Sequence, residues 1–350
     1  MKASLILVCH HSSSVMPRCV TSFRRVARQA GVEVEVVAVE QSDDADEAER
    51  IAELAVDRLI VRPNRGYAAG LNVGIEAATG DVFVLANPDL VFLDESLDPM
   101  LGALDAGFDV VGPQFYWDLE RSFVLPAAED PTPRAELLRA LRRRWQRAWS
   151  TGLAGWLEET WRVWSANEAI EVPSLRGALL VAPRAALERF GRYDEGYFLY
   201  YEETEWLWRA RRDGARLALV ADAGVVHRWG HATARRSDRG AVEEASRQRF
   251  FRRNYGVLWR QLLGFCAAGP QLGGEPAQVV VGPEEVPEVA ADLWLLSPFS
   301  HLLPSGGAVR RTSMPACVSD LAGRGRWFAL AAARRSGRWR AVGSWRWDRS

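Results

Sequence analysis

Charge of one sign is missing from this chain: 44 Lys and Arg stand against 45 Asp and Glu, a formal net charge of −1. Nothing global draws it to nucleic acid or to an anionic bilayer, so any basic patch has to be local. Cysteine is scarce as well. Cys9, Cys19, Cys266 and Cys317 are scattered without a CxxC pair, which favours reduced thiols over a disulfide framework or a zinc site. No run of about 20 apolar residues occurs, so no membrane-spanning helix is expected. The apolar run Leu5–Val8 is too short for a signal-peptide core and meets His10, His11 and three serines at once. A cytoplasmic location follows as the expectation. What is present is ordinary globular material, 48% hydrophobic and 25% charged, and 350 residues give room for one large domain, or for one large and one small.

Short apolar runs alternate with helical patterns in the first half, the sign of βαβ units and a mostly parallel sheet. Strands are predicted at Leu5–Val8, Val32–Val39, Leu59–Val61 and Val82–Ala86, with helices over Val15–Ala30, Asp43–Glu53 and Ala68–Ala78. The fourth strand ends at Asn87-Pro88-Asp89, because proline cannot continue a central strand. In such sheets ligands gather beyond the carboxyl ends of the strands. His10, His11, Glu40, Gln41, Asn64, Asn87 and Asp89 stand there.

Residues 130–165 are rich in Arg and Trp at helical spacing. A strand at Ala178–Val181, a helix at Ala185–Phe190, an aromatic loop at Tyr193–Tyr201, a helix at Glu203–Arg212, a strand at Leu217–Ala221 and a helix at Glu243–Tyr255 follow. After Gly264, Gly and Pro cluster among short apolar pieces at Val279–Val281, Leu293–Leu296, Trp327–Ala332 and Trp339–Trp345. The division expected is therefore a nucleotide-binding α/β domain over 1–263, with a helical insertion at about 130–165, and a small β-rich domain over 264–350.

Each chemical motif has two readings on residue type alone. Asp89, just past a buried strand, either holds a hard divalent ion or caps the next turn. The stretch Asn64-Arg65-Gly66-Tyr67-Ala68-Ala69-Gly70-Leu71-Asn72 either brings backbone amides to an anion or is a turn packed on the sheet, with Asn72 as a polar filler. Tyr200-Tyr201-Glu202-Glu203-Thr204-Glu205-Trp206 either supplies a general base among aromatics or places acids where a helix N-terminus favours them. His227 is either a strand-end structural residue or a partner to a carboxylate on a metal. The amphipathic stretch 134–149 either lies on a membrane surface, or is solvated or packed on its neighbour. Trp294, Trp327, Trp339, Trp345 and Trp347 form either a carbohydrate-binding face or a core.

In order and spacing, these pieces resemble family 2 glycosyltransferases with the GT-A fold, the bacterial rhamnosyltransferase-like branch in particular. The residues that carry the resemblance are Asn64–Asn72 with Gly74-Ile75, Gly80-Asp81, Asn87-Pro88-Asp89, Gly177-Ala178, Gly191, Tyr193-Asp194-Glu195, Phe198 to Arg209, Gly214 and His227. The resemblance spans roughly residues 3–256. It implies a GT-A α/β fold and a divalent cation, Mg²⁺ or Mn²⁺, at Asp89 and His227, with Asn87 in the place of the first acid of a DxD-type motif. Glu40 and Gln41 match an Asp-Asn pair at the nucleoside, and Asn64 and Gly66 lie near base and ribose. Gly177 and Asn72 belong to the donor site, Glu202-Glu203 matches a Glu-Asp pair whose second acid is the base, and Arg209 matches a phosphate-directed cation. This chain departs from the pattern at Glu40, Glu203 and Glu205, where aspartates are usual, and at His11, which takes an asparagine position at the donor site.

The function so implied is inverting transfer of a hexose, such as rhamnose, from a nucleotide-diphosphate sugar to a carbohydrate or lipid-linked acceptor in cell-wall or polysaccharide assembly. Glu203 is the catalytic residue in this reading. A nucleotidyltransferase would call for a glycine-rich loop with lysine directly after the first strand, which this sequence lacks. The rival from another class is a sugar- or nucleotide-binding relative in which the glutamates have abolished turnover.

Overall fold

The computed structural model describes residues 1–144, 150–227, 239–267, 277–299, 302, 304–321 and 325–349. It divides the chain into two compact units, one of Met1–Gln114 with Glu168–Tyr255 and one of Phe115–Asn167 with Gly256–Ser350.

The first unit begins as the sequence suggests. Strands β1 (Lys2–Cys9), β2 (Glu33–Glu40), β3 (Arg58–Val61) and β4 (Val82–Ala86) lie parallel in the order β3-β2-β1-β4. Their apolar residues run unbroken because helices cover such a sheet on both faces. Leu5, Ile6, Leu7, Val36, Val37, Val84 and Leu85 are buried. Helices α1 (Met16–Gln29), α2 (Ala45–Ala52) and α3 (Tyr67–Ala77) are the crossovers. Asp44 caps α2, its carboxylate accepting from the backbone N–H of Asp46 and Glu47. Gly80-Asp81 stands at the opposite end of the sheet from Asn87. There Gly80 N–H donates to Ser4 Oγ (2.8 Å) and Lys2 N–H to Asp81 Oδ2 (2.9 Å), so this step of the motif closes the strand bottoms.

Beyond β4 the parallel run is interrupted by an antiparallel neighbour, β8. After β5 (Leu90–Phe92), α4 (Leu97–Asp105) and β6 (Val110–Tyr116), the chain returns through β7 (Ala169–Glu171) and β8 (Leu179–Pro183), the latter pairing with β4 and β6. Helices α7 (Arg184–Phe190) and α8 (Glu202–Arg212) lead to β9 (Leu217–His227) and α9 (Arg239–Asn254). β9 runs six residues past the Ala221 expected as its end and pairs antiparallel with β5, Leu90 opposite His227. The outer edge of β5 is closed by α1: Phe92 N–H donates to Ser22 Oγ (3.0 Å), and Arg25 donates to Phe92 O (2.8 Å). That leaves no open backbone row at Phe92.

The second unit holds α5 (Pro133–Arg144), α6 (Ser150–Trp164), α10 (Val257–Ala267), α11 (Val318–Leu321) and a five-stranded sheet. Its strands β10 (Gln278–Val279), β11 (Ala291–Ser297), β12 (Gly306–Arg311), β13 (Gly325–Arg335) and β14 (Arg338–Arg349) are ordered β10-β14-β13-β11-β12. By packing, residues 115–167 group with residues 256–350. Val124 and Gly307 exchange backbone hydrogen bonds (2.6 and 2.8 Å), and Trp339 Nε1 donates to Glu158 of α6 (2.7 Å). Trp294, Trp345 and Trp347 are buried, Trp294 stacked on Trp345, and so form core. Part of the stretch 134–149, residues 145–149, lies outside the described residues. No described helix is long and apolar enough to cross a membrane.

Candidate functional site

At the carboxyl ends of the parallel strands, β2 delivers Glu40 and Gln41, both buried. Glu40 accepts the Ser42 backbone N–H through Oε1, while its Oε2 is buried without a hydrogen-bond partner. Burial foremost raises the Glu40 carboxyl above the ordinary carboxylate range. His11 follows β1 in the left-handed conformation (φ 50°), its N–H donating to Ser42 Oγ (2.7 Å) and its ring 3.9 Å from Asp44. Gln41 lies over Gly70, where a Cβ would come within 2.2 Å of its Nε2. Asn64 turns inward on its own loop, Oδ1 accepting Gly66 N–H (3.0 Å). Gly66 has φ 99°, and a Cβ there would strike Phe198 O at 2.5 Å, so only glycine fits.

Asn87 and Asp89 follow β4. The β5–β9 pairing places His227 Nε2 3.5 Å from Asp89 Oδ1. Asp89 is buried, and its Oδ1 has no hydrogen-bond partner. Asn87 Oδ1 accepts the hydroxyl of Tyr67 at the start of α3 (2.9 Å). Burial foremost, then the negative charges of Glu202, Glu203 and Asp89, hold the Tyr67 hydroxyl well above its usual range. Tyr67 was not singled out in the sequence, although it stood between Gly66 and Gly70. Only its hydroxyl, not its place in the motif, distinguishes it from a core aromatic.

Glu202 and Glu203 open α8. The two residues before them, Tyr200 and Tyr201, both take φ 66°, which non-glycine residues adopt at a cost of about 1–3 kcal/mol each. Such outliers persist where surrounding structure holds them, and they cluster at functional sites. Phe198 O, accepting Tyr67 N–H (2.8 Å), and Leu199 O, accepting Ser246 Oγ (2.8 Å), fix the loop from two sides. Burial raises both carboxyls, the Glu203 charge adding to the effect on Glu202, whose Oε2 has no partner. Backbone N–H groups at the helix start and the charge of Arg176 act against the rise at Glu203. Gly177 makes room for that side chain: a Cβ there would lie 2.5 Å from Glu203 Cγ. The Glu203 side chain thus lies directly across the space that a Cβ at Gly177 would fill.

Other candidates stand apart from this cluster. Asn72 is buried and committed to the loop after α7, donating to Tyr193 O and Glu195 Oε1 and accepting from Tyr193 N–H, all at 3.0 Å. Arg209, two turns along α8 from Glu202, pairs with Glu205 (3.3 Å) and donates to the backbone oxygens of Phe190 and Arg192. Their geometry is that of loop tethers. Tyr197 and Trp206 are fully buried, while Phe198 is partly exposed. Among the described residues no three of His, Cys, Asp and Glu converge as a ready-made metal cluster, so Asp89 and His227 stand as a pair.

Residues 4–172, just under half of the chain, match the profile of glycosyl transferase family 2. The resemblance read from Asn64–Asn72 and Asn87-Pro88-Asp89 is borne out by that match. A curated relative, the low-salt glycan biosynthesis hexosyltransferase Agl10 of Haloferax volcanii, is 24% identical over 169 residues, 47% of this chain and 49% of its own length. The chain therefore spans about half the length of that relative. Among solved structures, the mannosyltransferase PcManGT of Pyrobaculum calidifontis in complex with GDP-Man and Mn²⁺ is similar with a TM-score of 0.48 and 14% identity, over 76% of this chain and 69% of that one. TarS of S. aureus with UDP gives 0.45 and 16%, over 65% and 60%.

Proposed function

We propose, from a chain whose first half matches glycosyl transferase family 2, that this protein transfers a hexose from a nucleotide-diphosphate sugar to a carbohydrate or lipid-linked acceptor with inversion at the anomeric carbon. The observation that carries the reading is the junction of Asp89, His227, Tyr67 and Asn87 with an acid pair, buried Glu202 and half-buried Glu203, whose carboxyls are held above their ordinary range.

The donor residues fit a hard divalent cation. An orphaned buried carboxylate oxygen and an imidazole nitrogen 3.5 Å away are oxygen and nitrogen ligands of the right kind. Asp89 and His227 would hold it, and Mg²⁺ or Mn²⁺ there would neutralise charge on a departing diphosphate. Glu203 takes a proton from the acceptor hydroxyl, which then attacks from the face opposite the nucleotide. A carboxyl raised by burial is a stronger base than one in water, and so better matched to that proton. Glu40, with its unsatisfied Oε2, and Gln41 face the nucleoside. No covalent sugar–enzyme bond is required.

The test is thermal stabilisation by a panel of nucleoside diphosphates and nucleotide sugars with and without Mn²⁺, followed by turnover with the sugar nucleotide that binds. A ligand that binds only the native state raises Tm by mass action. Metal-dependent stabilisation with turnover lost in Glu203→Gln is the expected result. Stabilisation without turnover in the native sequence would instead make this a binding protein.

A further inference from the structure

Helix α9 carries Ser246, Arg249, Phe250 and Arg253 at i, i+3, i+4 and i+7, so the four share one face. All four meet the loop that leads into Glu202 and Glu203. Arg249 donates to both carboxylate oxygens of Asp194 (3.2 and 3.0 Å), and Arg253 pairs with the same carboxylate. The Arg249 guanidinium also stands over the Tyr197 ring, 5.1 Å from its centroid, and a Cβ at Gly196 would collide with it. Ser246 is buried and donates its hydroxyl to Leu199 O (2.8 Å). Phe250 is buried and packs on Tyr201, the ring centroids 5.6 Å apart.

The contacts divide by position along the loop. Residues 194, 197, 199 and 201 meet α9, whereas Phe198 between them turns its carbonyl to Tyr67 N–H and against Gly66. The loop is thus held between α9 on one side and the start of α3 on the other. Its last two residues, Tyr200 and Tyr201, are the pair with φ 66°. Consecutive non-glycine residues in that region persist only where neighbours hold them, and their relaxation would turn the first residues of α8, where the acids stand. Glu40, Gln41 and Asp89 are delivered by β2 and β4 instead, so the grip of α9 falls on the acid side of the site.

We propose that α9 positions the acid pair, with Ser246 and Arg249 as positioning residues that act on Glu203 through residues 194–201. The proposal rests on the reading of Glu203 as the base.

The experiment compares the full chain with Arg249→Ala, Arg249→Lys, Ser246→Ala and Glu203→Gln by two measurements. One is amide hydrogen exchange over residues 199–205 and over β1 to β4. The other is release of nucleoside diphosphate from GDP-mannose, UDP-glucose and dTDP-rhamnose, read as kcat and KM. In Arg249→Ala, exchange at 201–205 should quicken about tenfold while β1 to β4 stay protected. Its kcat should fall on the order of 100-fold, the effect of displacing a reacting group by about 1 Å, with KM for the donor unchanged. Arg249→Lys should recover most of the loss, because an ammonium can still pair with Asp194, and Ser246→Ala should lie between. The Asp194–Arg249 pair is partly exposed and so contributes little to stability, which keeps Tm near the native value.

Native kcat and native exchange in both alanine variants overturn the proposal. So does a joint fall of kcat, donor affinity and Tm that Arg249→Lys fails to relieve, since α9 would then be a general structural support. If no donor is turned over, exchange alone decides, and unchanged protection at 201–205 is the overturning result. Turnover of Glu203→Gln at the native rate removes the base itself and the proposal with it. An inactive Glu203→Gln beside fully active α9 variants removes only the role of α9.

Discussion

Asp89 Oδ1 faces His227 Nε2 across 3.5 Å, although the two residues lie far apart in sequence and meet only because Leu90 and His227 are opposed in the β5–β9 ladder. The carboxylate is buried and its Oδ1 makes no hydrogen bond, an arrangement that costs stability unless a cation completes it. Asp89→Ala is therefore expected to abolish Mn²⁺-dependent stabilisation by a nucleoside diphosphate. At a ligand concentration about 100 times Kd, that stabilisation amounts to about 2.7 kcal/mol. Differential scanning fluorimetry with and without metal checks it.

Glu203→Gln removes the proposed base while keeping size and hydrogen-bonding capacity. Turnover should fall by about 10²- to 10⁴-fold, with nucleotide binding unchanged. In the native sequence, activity should rise with pH through a value above the ordinary glutamate range, because burial raises this carboxyl and only its ionised form accepts the proton. An activity profile already flat through that range would count against Glu203.

Gly177→Ala tests the room that the glycine leaves for Glu203. The new Cβ would approach within 2.5 Å of Glu203 Cγ, forcing the side chain aside. A displacement near 1 Å at a reacting group costs on the order of 100-fold in rate, so kcat should fall about that far while nucleotide affinity holds. The measurement is steady-state kinetics beside a binding titration.

The buried acids make stability fall with rising pH. A carboxyl raised in the folded state is protonated there at pH values where the unfolded chain has already lost the proton. The native state then binds more protons than the unfolded one, so stability is greatest below the unfolded pKa and declines as pH climbs towards the raised folded value. Glu202→Gln should flatten that slope and raise Tm near neutral pH by about 2–4 °C, the shift that about 1 kcal/mol produces in a unit of this size. Thermal melts across pH decide it.

Asn72→Ala should behave as a structural change. It leaves Tyr193 N–H and Tyr193 O without their partner in a buried setting, at a cost of about 1–3 kcal/mol. Nucleotide affinity per folded molecule should stay the same. A variant that lost nucleotide binding while keeping its Tm would return Asn72 to the donor site.

The sequence showed β1 to β4 and their crossover helices to within three residues, because strands buried on both faces have long apolar runs and Gly31, Gly66 and Gly80 punctuate them. It did not show β5, which is three residues long after a proline. It also stopped β9 at Ala221, because the exposed Asp222 interrupts its apolar run. Those two strands decide where His227 goes. Asn72 and Arg209 were legible as polar residues at telling positions, but residue type does not reveal whether an amide meets a nucleotide or the backbone of Tyr193. Gly177 stood out in the sequence, yet its use became clear only once Glu203 was seen lying across it.

The β5–β9 ladder also gives the site an order in time. During synthesis, β1 to β4 can assemble as soon as they leave the ribosome, whereas Asp89 must wait for a partner that emerges more than a hundred residues later. Until β9 arrives, a polypeptide of this sequence holds Glu40 and Gln41 in place without the Asp89–His227 pair. Amide exchange along Leu90–Phe92 should accordingly report the rarest openings of the first unit, because losing that short strand means losing its long-range ladder with β9 and its ties to Ser22 and Arg25 together.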